Sequence, residues 1–421
     1  MENVTQPTPS EIGAEISRFV SAVDSLRMTI DSSMRVVQTA HDRAHEQLAT
    51  YIEKYADVTS RDHHQFVTIK SHDNCHGYHL RRRELDRLHE AQRVLPQSFL
   101  IALVSRYDAL VGSLVRALFS QKPDALRSSE RTFTFAELTQ FTSIADAREF
   151  IVHKEVESLL RKSHSEQFEW LEKRFDIKLR EGLTAWPAFI EVTERRNLFA
   201  HGDGVVSSQY VGKCRSEQAD LMDVEPGALL YVDGPYFGKA SDTVCEIGVK
   251  LAQVLWRKVA PHEIEEAEVS LRDTALDVIE QERYDLAKAL LDFADTTLSK
   301  RHASEEWRLI FVINRALAHS LGGDKKKCRD ILASQDWSAT NDSLKLAESI
   351  LTERFDESFT IMKKIGAEGA IPKGHYLHWQ LFRELRRHPL FTKRITEIFG
   401  DDTHEEEVPA EVLPRSGRTP S

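Results

Sequence analysis

From Ile12 to Tyr55 the apolar residues recur at steps of three and four: Ile12, Ile16, Phe19, Val23, Leu26, Ile30, Met34 and Val37, then, after His41, Ala44, Leu48, Tyr51 and Tyr55. No proline and, after Gly13, no glycine interrupts them. Residues three and four apart share one side of a helix, so the spacing predicts a single helix about 65 Å long carrying one narrow apolar stripe. Such a stripe needs a partner helix to cover it, which commits the start of the chain to a helical hairpin or coiled coil. The histidine-rich "RDHHQFVTIKSHDNCHGYH" reads as its turn, with Asn74 and Gly77 as breakers, and the charged "LRRRELDRLHEAQRVL" as the returning helix.

Pro96 marks the next boundary. Beyond it "FLIALVSRYDALVGSLVRALF" is apolar on nearly all faces, as expected of the central helix of a compact domain. Helices follow at about 146–162 and 164–182, then "WPAFIEVTERRNLFAH", whose Trp186, Phe189, Ile190 and Thr193 bury one face. "GDG" closes it, because glycine accepts the left-handed conformation that ends helices. "GALLYVDGPYFGKA" reads as short strands or loops before the helix "DTVCEIGVKLAQVLWRKV", stopped by Pro261. From about 270 three turns carry an aspartate, Asp285, Asp324 and Asp356, each after one apolar helix and before another, at spacings of 39 and 32. "HWQLFRELRRHPLFTKRITEIFG" ends this array as an aromatic cap.

The expected fold is therefore all-α with three regions: a long helical hairpin over 1–95, a helical bundle over 96–262 and α-helical repeats over 263–400. Residues 401–421 form an acidic tail in which six carboxylates face two arginines and three prolines stand among little that can be buried, so disorder is expected there.

A net charge of −11 disfavours a protein that coats nucleic acid regardless of sequence, since such binding draws on a basic surface, and it leaves a local site open. The four cysteines, Cys75, Cys214, Cys245 and Cys328, form no CxxC pair, which argues against a disulfide scaffold or a cysteine zinc site and for a reducing cytoplasm. The amino-terminal "MENVTQPTPSEIGAEISRF" lacks the apolar core of a signal peptide. No uninterrupted apolar run approaches the roughly 18 residues of a membrane span, so a soluble chain without membrane contact is expected.

Residues 194–206, "ERRNLFAHGDGVV", follow that buried face and set Arg196, Asn197 and His201 at the end of a helix. This resembles the signature of the HEPN superfamily, an arginine, a polar residue and then a histidine at the end of a helix in an all-α domain; the Arg-x4-His spacing falls within the family's range. The resemblance covers roughly residues 96–262. It implies a metal-independent endoribonuclease without cofactor, built as a homodimer that sets two copies of the motif across one cleft, and it implies a role as a toxin or antiphage effector. The aspartate-bearing turns from 270 onward resemble degenerate tetratricopeptide-like hairpins near their 34-residue period.

The chemistry of such a site can be written from the residues. RNA supplies its own nucleophile in the 2′-hydroxyl, so cleavage needs a proton acceptor there, a donor for the leaving 5′-oxygen and positive charge at the phosphate. An imidazole at His201 suits either proton role. The guanidinium of Arg196 can brace two phosphate oxygens. Five steps at 100° put Arg196 and His201 about 140° apart on a regular helix, so one straight helix does not aim both at one phosphate. Either the helix unwinds before Gly202 or a second protomer completes the site. Asn197, about 40° from His201, is a supporting candidate, and Glu194, about 20° away, a weaker one.

The competing reading is a capped helix end, where a cationic side chain near the carboxyl terminus is favoured by the helix dipole alone. A strong RNA groove would have to draw on other helices, for example Arg161, Lys162, Lys173, Arg174, Lys178 and Arg180. His72, Cys75, His76 and His79 have spacings a metal accepts, but they sit in an expected turn without a distant second ligand pair, so no metal site is assigned. No phosphate-binding loop, dinucleotide fingerprint or GxSxG elbow is present. A second class of function stands beside the ribonuclease: a non-catalytic scaffold or sensor whose helical repeats bind a protein trigger or antitoxin.

Overall fold

The computed structural model describes residues 10–400 apart from 62–63, 129–131 and 222–223; the side chains of 60–61, 64–65 and 127–128 are also not described. The acidic tail at 401–421 lies outside the described residues. Among these residues the fold is all-α, with sixteen α-helices and one two-stranded sheet. The chain divides into two compact units, Met1–Ser304 and Glu305–Ser421.

Helix α1 (Glu11–Tyr55) is the long helix that the apolar stripe predicts. Its inner half is buried through Ile12, Ile16, Phe19, Val23 and Ile30. Its outer half is covered by the returning helix: Gln92 Nε2 donates to Gln38 Oε1 at 2.9 Å, and the Arg81 guanidinium lies 4.3 Å from the centre of the Tyr51 ring. The connection differs from the expected turn. Strands β1 (Ala56–Arg61) and β2 (His64–Ile69) pair antiparallel, Val58 opposite Val67 and Thr59 opposite Phe66; β-branched and aromatic residues dominate β2 and supply Val58 and Thr59 of β1. Asn74 and Gly77 then fall inside α2 (His72–Gln121) and break nothing. Gly77 instead makes room for Tyr51, whose hydroxyl lies closer to the position a Cβ would take than a Cβ tolerates.

Pro96 does not separate a hairpin from a bundle, because α2 runs through it. Proline inside a helix costs about 3 kcal/mol, and the packing on either side of Pro96 outweighs it. Past Pro96, Leu100, Leu103, Val104, Tyr107, Val111 and Leu114 are all buried. Among the described residues α2 alone is long and apolar enough to cross a membrane, with mean hydropathy 1.5 over 18 residues, and half of that window is buried inside the fold.

After α2 come α3 (Phe135–Leu138), α4 (Ile144–Leu160), α5 (His164–Phe175), α6 (Trp186–His201), α7 (Ser208–Ser216) and α8 (Gly234–Val259); α4, α6 and α8 pack on α2, α5 on α4 and α6, and α7 on α6. Helix α5 stops short of 182 because Asp176 takes the left-handed conformation at φ 51°. Helix α8 starts well before the expected 242: Asp233 Oδ1 accepts from the Tyr236 N–H at 2.7 Å and Pro235 occupies the first turn, two starting signals in one tripeptide. Helices α9 (Ile264–Glu280) and α10 (Tyr284–Thr296) belong to this first unit. Buried Arg283, in the turn between them, fastens the pair to α1 and α8 by donating to Asp24 and to Asp242, which also accepts from Arg27 at 2.9 Å.

The second unit contains α11 (Glu305–Leu321), α12 (Lys325–Ala333), α13 (Asp342–Leu351), α14 (Phe355–Ile365), α15 (Lys373–His378) and α16 (Phe391–Phe399). The turns α9–α10, α11–α12 and α13–α14 share one backbone geometry, with Glu282, Gly323 and Glu353 at φ 59°, 89° and 61°, each one residue before the helix cap. The three aspartates are not equivalent within it. Asp324 is itself the cap, accepting from the Lys327 N–H at 2.9 Å, whereas Asp285 and Asp356 lie two residues further on, in the first turn. The first and third turns correspond residue for residue; the middle one reaches the same shape with Gly-Asp.

Candidate functional site

Helix α6 carries Arg196, Asn197 and His201 and is fixed by its other face. Phe189 sits in an aromatic junction of three helices, with ring centroids 4.8 Å from Tyr107 of α2 and 5.6 Å from His164 of α5. The two adjacent arginines of α6 then take different partners. Arg195 donates to Glu191 Oε1 at 2.6 Å, lies 4.0 Å from the centre of the Tyr236 ring and donates to the Tyr231 carbonyl at 3.2 Å. Glu191 is buried and also accepts the hydroxyls of Tyr210 (2.7 Å) and Tyr236 (2.8 Å), so this network is fully occupied by the protein itself. Burial first, then the Glu191 carboxylate, holds the Tyr236 hydroxyl protonated far above its ordinary range.

Arg196 turns toward α2. Its Nη2 donates to Asp108 Oδ2 at 3.3 Å, and Asp108 Oδ1 accepts from His164 Nε2 at 3.0 Å, so a single carboxylate joins α2, α5 and α6. His164 is 6% exposed, while Asp108 and Arg196 keep 26% and 21% of their side chains in solvent. Among the described residues the buried Arg196 Nε has no hydrogen-bond partner, nor has the Tyr107 hydroxyl, which burial and the neighbouring Asp108 keep protonated. Among the described residues the guanidinium is thus held through Nη2 alone.

His201 is the last residue of α6 and is exposed; no hydrogen bond of its side chain occurs among the described residues, and none joins it to Arg196. Asn197 and Glu194 are half-buried and likewise lack side-chain hydrogen bonds there. Within one chain, therefore, the four candidate residues do not converge on a common partner.

The helix does end at "GDG", but not through its first glycine. Gly202 has φ −139°, and the left-handed positions are Asp203 (φ 52°) and Gly204 (φ 84°). The N–H groups of Gly202 and Gly204 both donate to the Leu198 carbonyl, at 2.7 and 3.2 Å. Arg93 of α2 grips Asp203 with its fork, Nη1 to Oδ1 at 2.8 Å and Nη2 to Oδ2 at 3.2 Å. Beneath the turn Leu198, Val206, Tyr210, Val211 and Cys214 form a small core. The end of α6 is consequently anchored on both sides of His201.

Of the six basic residues from which a groove over α4, α5 and the loop after them would have to be built, five are ion-paired. Arg161 pairs with Glu157, Lys173 with Glu169, Arg174 with Glu155, Lys178 with Glu181 and Arg180 with Glu172, leaving Lys162 of the six. Their charges are balanced within their own elements or by adjacent ones. At the other candidate cluster, Cys75 Sγ faces the Ile69 carbonyl at 3.7 Å, and among the described residues no three His, Cys, Asp or Glu side chains converge as metal ligands.

Asp108 and His164 escaped the sequence reading. The available signal was a lone carboxylate in the apolar run 99–119, since an acid on a buried helix calls for a cationic partner. His164 gave none, because its role depends on α5 starting beside α2. No family model matches the chain, and neither a curated protein nor a solved structure does.

Proposed function

We propose that the protein is a metal-independent endoribonuclease of HEPN type acting as a homodimer, with Arg196 and His201 as the working pair. The observation that supports this is the end of α6: His201 is exposed with its ring uncommitted, on an anchored helix end, while Arg196 is held, among the described residues, through Nη2 alone. In this reading one His201 takes the proton of the 2′-hydroxyl as its oxygen bonds to phosphorus, and the second copy's His201 protonates the departing 5′-oxygen as the P–O5′ bond breaks. Arg196 steadies the charge on the phosphate oxygens, and a 2′,3′-cyclic phosphate remains. Asn197 supports the imidazole, with Glu194 as a lesser contributor. The substrate is tRNA or mRNA, the cell role that of a toxin or defence effector, and the helical pairs receive the trigger or antitoxin.

The Arg196–Asp108–His164 contact favours a second reading, in which Arg196 is an internal tie and the protein a non-catalytic scaffold or sensor. Purified protein incubated with RNA in EDTA separates the two. Cleavage that is lost in Arg196→Ala and His201→Ala supports the nuclease, and cleavage that survives either substitution, or never occurs, removes it.

A further inference from the structure

Away from α6, helices α1 and α9 enclose a groove of about 610 Å³ in the first unit. Its α1 wall runs from Ser10 to Met28 on a single helix face, about 27 Å, and its α9 wall from Glu266 to Asp277, about 16 Å. The wall on α1 is low, because Gly13, Ser17, Ser21 and Ser25 carry almost no side chain. The floor and lips are apolar: Val20 and Trp256 below, with Met28 at 78% and Val269 at 38% exposure above.

Four charged residues line the groove, Asp24, Glu266, Asp273 and Asp277, and all are acidic. Asp24 is bound by Arg283 and Asp273 by its neighbour Arg272, but Glu266 and Asp277 meet no cation among the described residues. Burial, then Glu280, Asp273 and Asp24, raises the Asp277 carboxyl above its ordinary value, the response of an acid that lacks a counter-charge.

We infer that this groove is the docking site for a cationic amphipathic α-helix of a partner protein. Two helical walls with a recessed apolar floor accept a third helix through residues spaced three and four apart, and three turns of contact match the α9 wall. The rim selects the charge: lysines or arginines flanking the apolar seam neutralise Glu266 and Asp277, whereas an acidic helix would bury like charges against each other. A small polycation would satisfy the carboxylates and leave the floor wet. This inference is independent of the α6 site and of the nuclease reading.

The test uses the full chain and three synthetic 16-residue peptides: one with leucines at helical spacing and lysines elsewhere, the same composition scrambled, and the first with glutamate for lysine. Calorimetry measures affinity and amide hydrogen exchange locates the contact. The expected result is binding of the amphipathic lysine peptide alone, protection confined to 10–28 and 264–280, and at least a tenfold weaker affinity in Asp273→Lys/Asp277→Lys and in Met28→Asp. These positions are exposed, so the variants remain folded, and Glu368→Lys on the second unit serves as a charge control with unchanged affinity. Equal binding of the scrambled peptide, protection elsewhere, indifference to the groove variants, or no binding at 100 µM peptide overturns the assignment.

Discussion

The carboxylate of Asp108 accepts from Arg196 Nη2 at 3.3 Å through one oxygen and from His164 Nε2 at 3.0 Å through the other, so three helices meet at a single side chain. Removing it leaves His164 buried without an acceptor and Arg196 with neither Nε nor Nη2 paired. Asp108→Asn keeps the shape but loses the charge, and because the carboxylate is partly solvated the cost is about 1–3 kcal/mol, less than for a fully buried pair. Urea unfolding followed by circular dichroism measures it, and an unchanged midpoint would show that the contact contributes nothing.

Arg196→Ala and His201→Ala separate by stability. His201 is exposed and unbonded, so its truncation leaves the urea midpoint within about 0.5 kcal/mol of wild type, whereas Arg196→Ala frees Asp108 and destabilises by about 1 kcal/mol or more. In the nuclease reading both lose at least 100-fold in cleavage rate. The pair of measurements distinguishes a failed fold from a failed reaction, and a large stability loss in His201→Ala would contradict its placement.

Gly204 is required twice over. Its φ is 84°, and a Cβ there would lie 2.9 Å from the Phe199 ring and 3.1 Å from the Leu230 carbonyl. Gly204→Ala therefore costs about 1–3 kcal/mol. Gly182→Ala, at φ 73° in open space, carries the backbone strain alone and should cost less. Thermal melts of the two variants read the difference, which is the steric contribution.

The long first helix and the all-α class were legible because period and the absence of breakers act locally over many residues. Pro96 misled for the opposite reason: its local cost is real, but it is overridden by packing on α1 and within the bundle that only the folded chain supplies. The strands at 56–69 were masked by their histidines, although Val58, Thr59 and the run 66–69 carry strand-forming side chains. At the site, the helix end and its residues could be read directly. Nothing local distinguishes Arg195, spent on Glu191 and Tyr236, from Arg196, spent on Asp108, because their partners lie 36–88 residues away in sequence or one turn back.

The thiols give a check on packing that owes nothing to function. Burial pushes the Cys214 and Cys245 thiols up to about 12 and the Cys328 thiol up to about 11, so none of the three forms thiolate near neutral pH. Cys75 is half-buried near the start of α2. At pH 8 a disulfide reagent should titrate one thiol quickly, lost in Cys75→Ser, and the remaining three only with unfolding. Two or more fast thiols in the native protein would contradict the buried positions.

Acid should act through Glu268. This carboxylate is fully buried; it accepts from Arg257 Nη1 at 2.8 Å and faces His302 Nδ1 at 3.2 Å. Burial alone would raise its pKa, but the bonds from His302 and Arg257 outweigh it and the net value lies below the ordinary 4.5. A carboxylate whose folded pKa is depressed contributes stability that is fully present above its unfolded pKa and is lost as pH falls through the folded one. The urea midpoint should therefore hold its Glu268 contribution down to about pH 4.5 and decline below it. Glu268→Gln leaves Arg257 buried without its counter-charge, costs about 3–5 kcal/mol at pH 7, and flattens the decline. Parallel pH profiles for wild type and variant would mean that the titration responsible lies elsewhere.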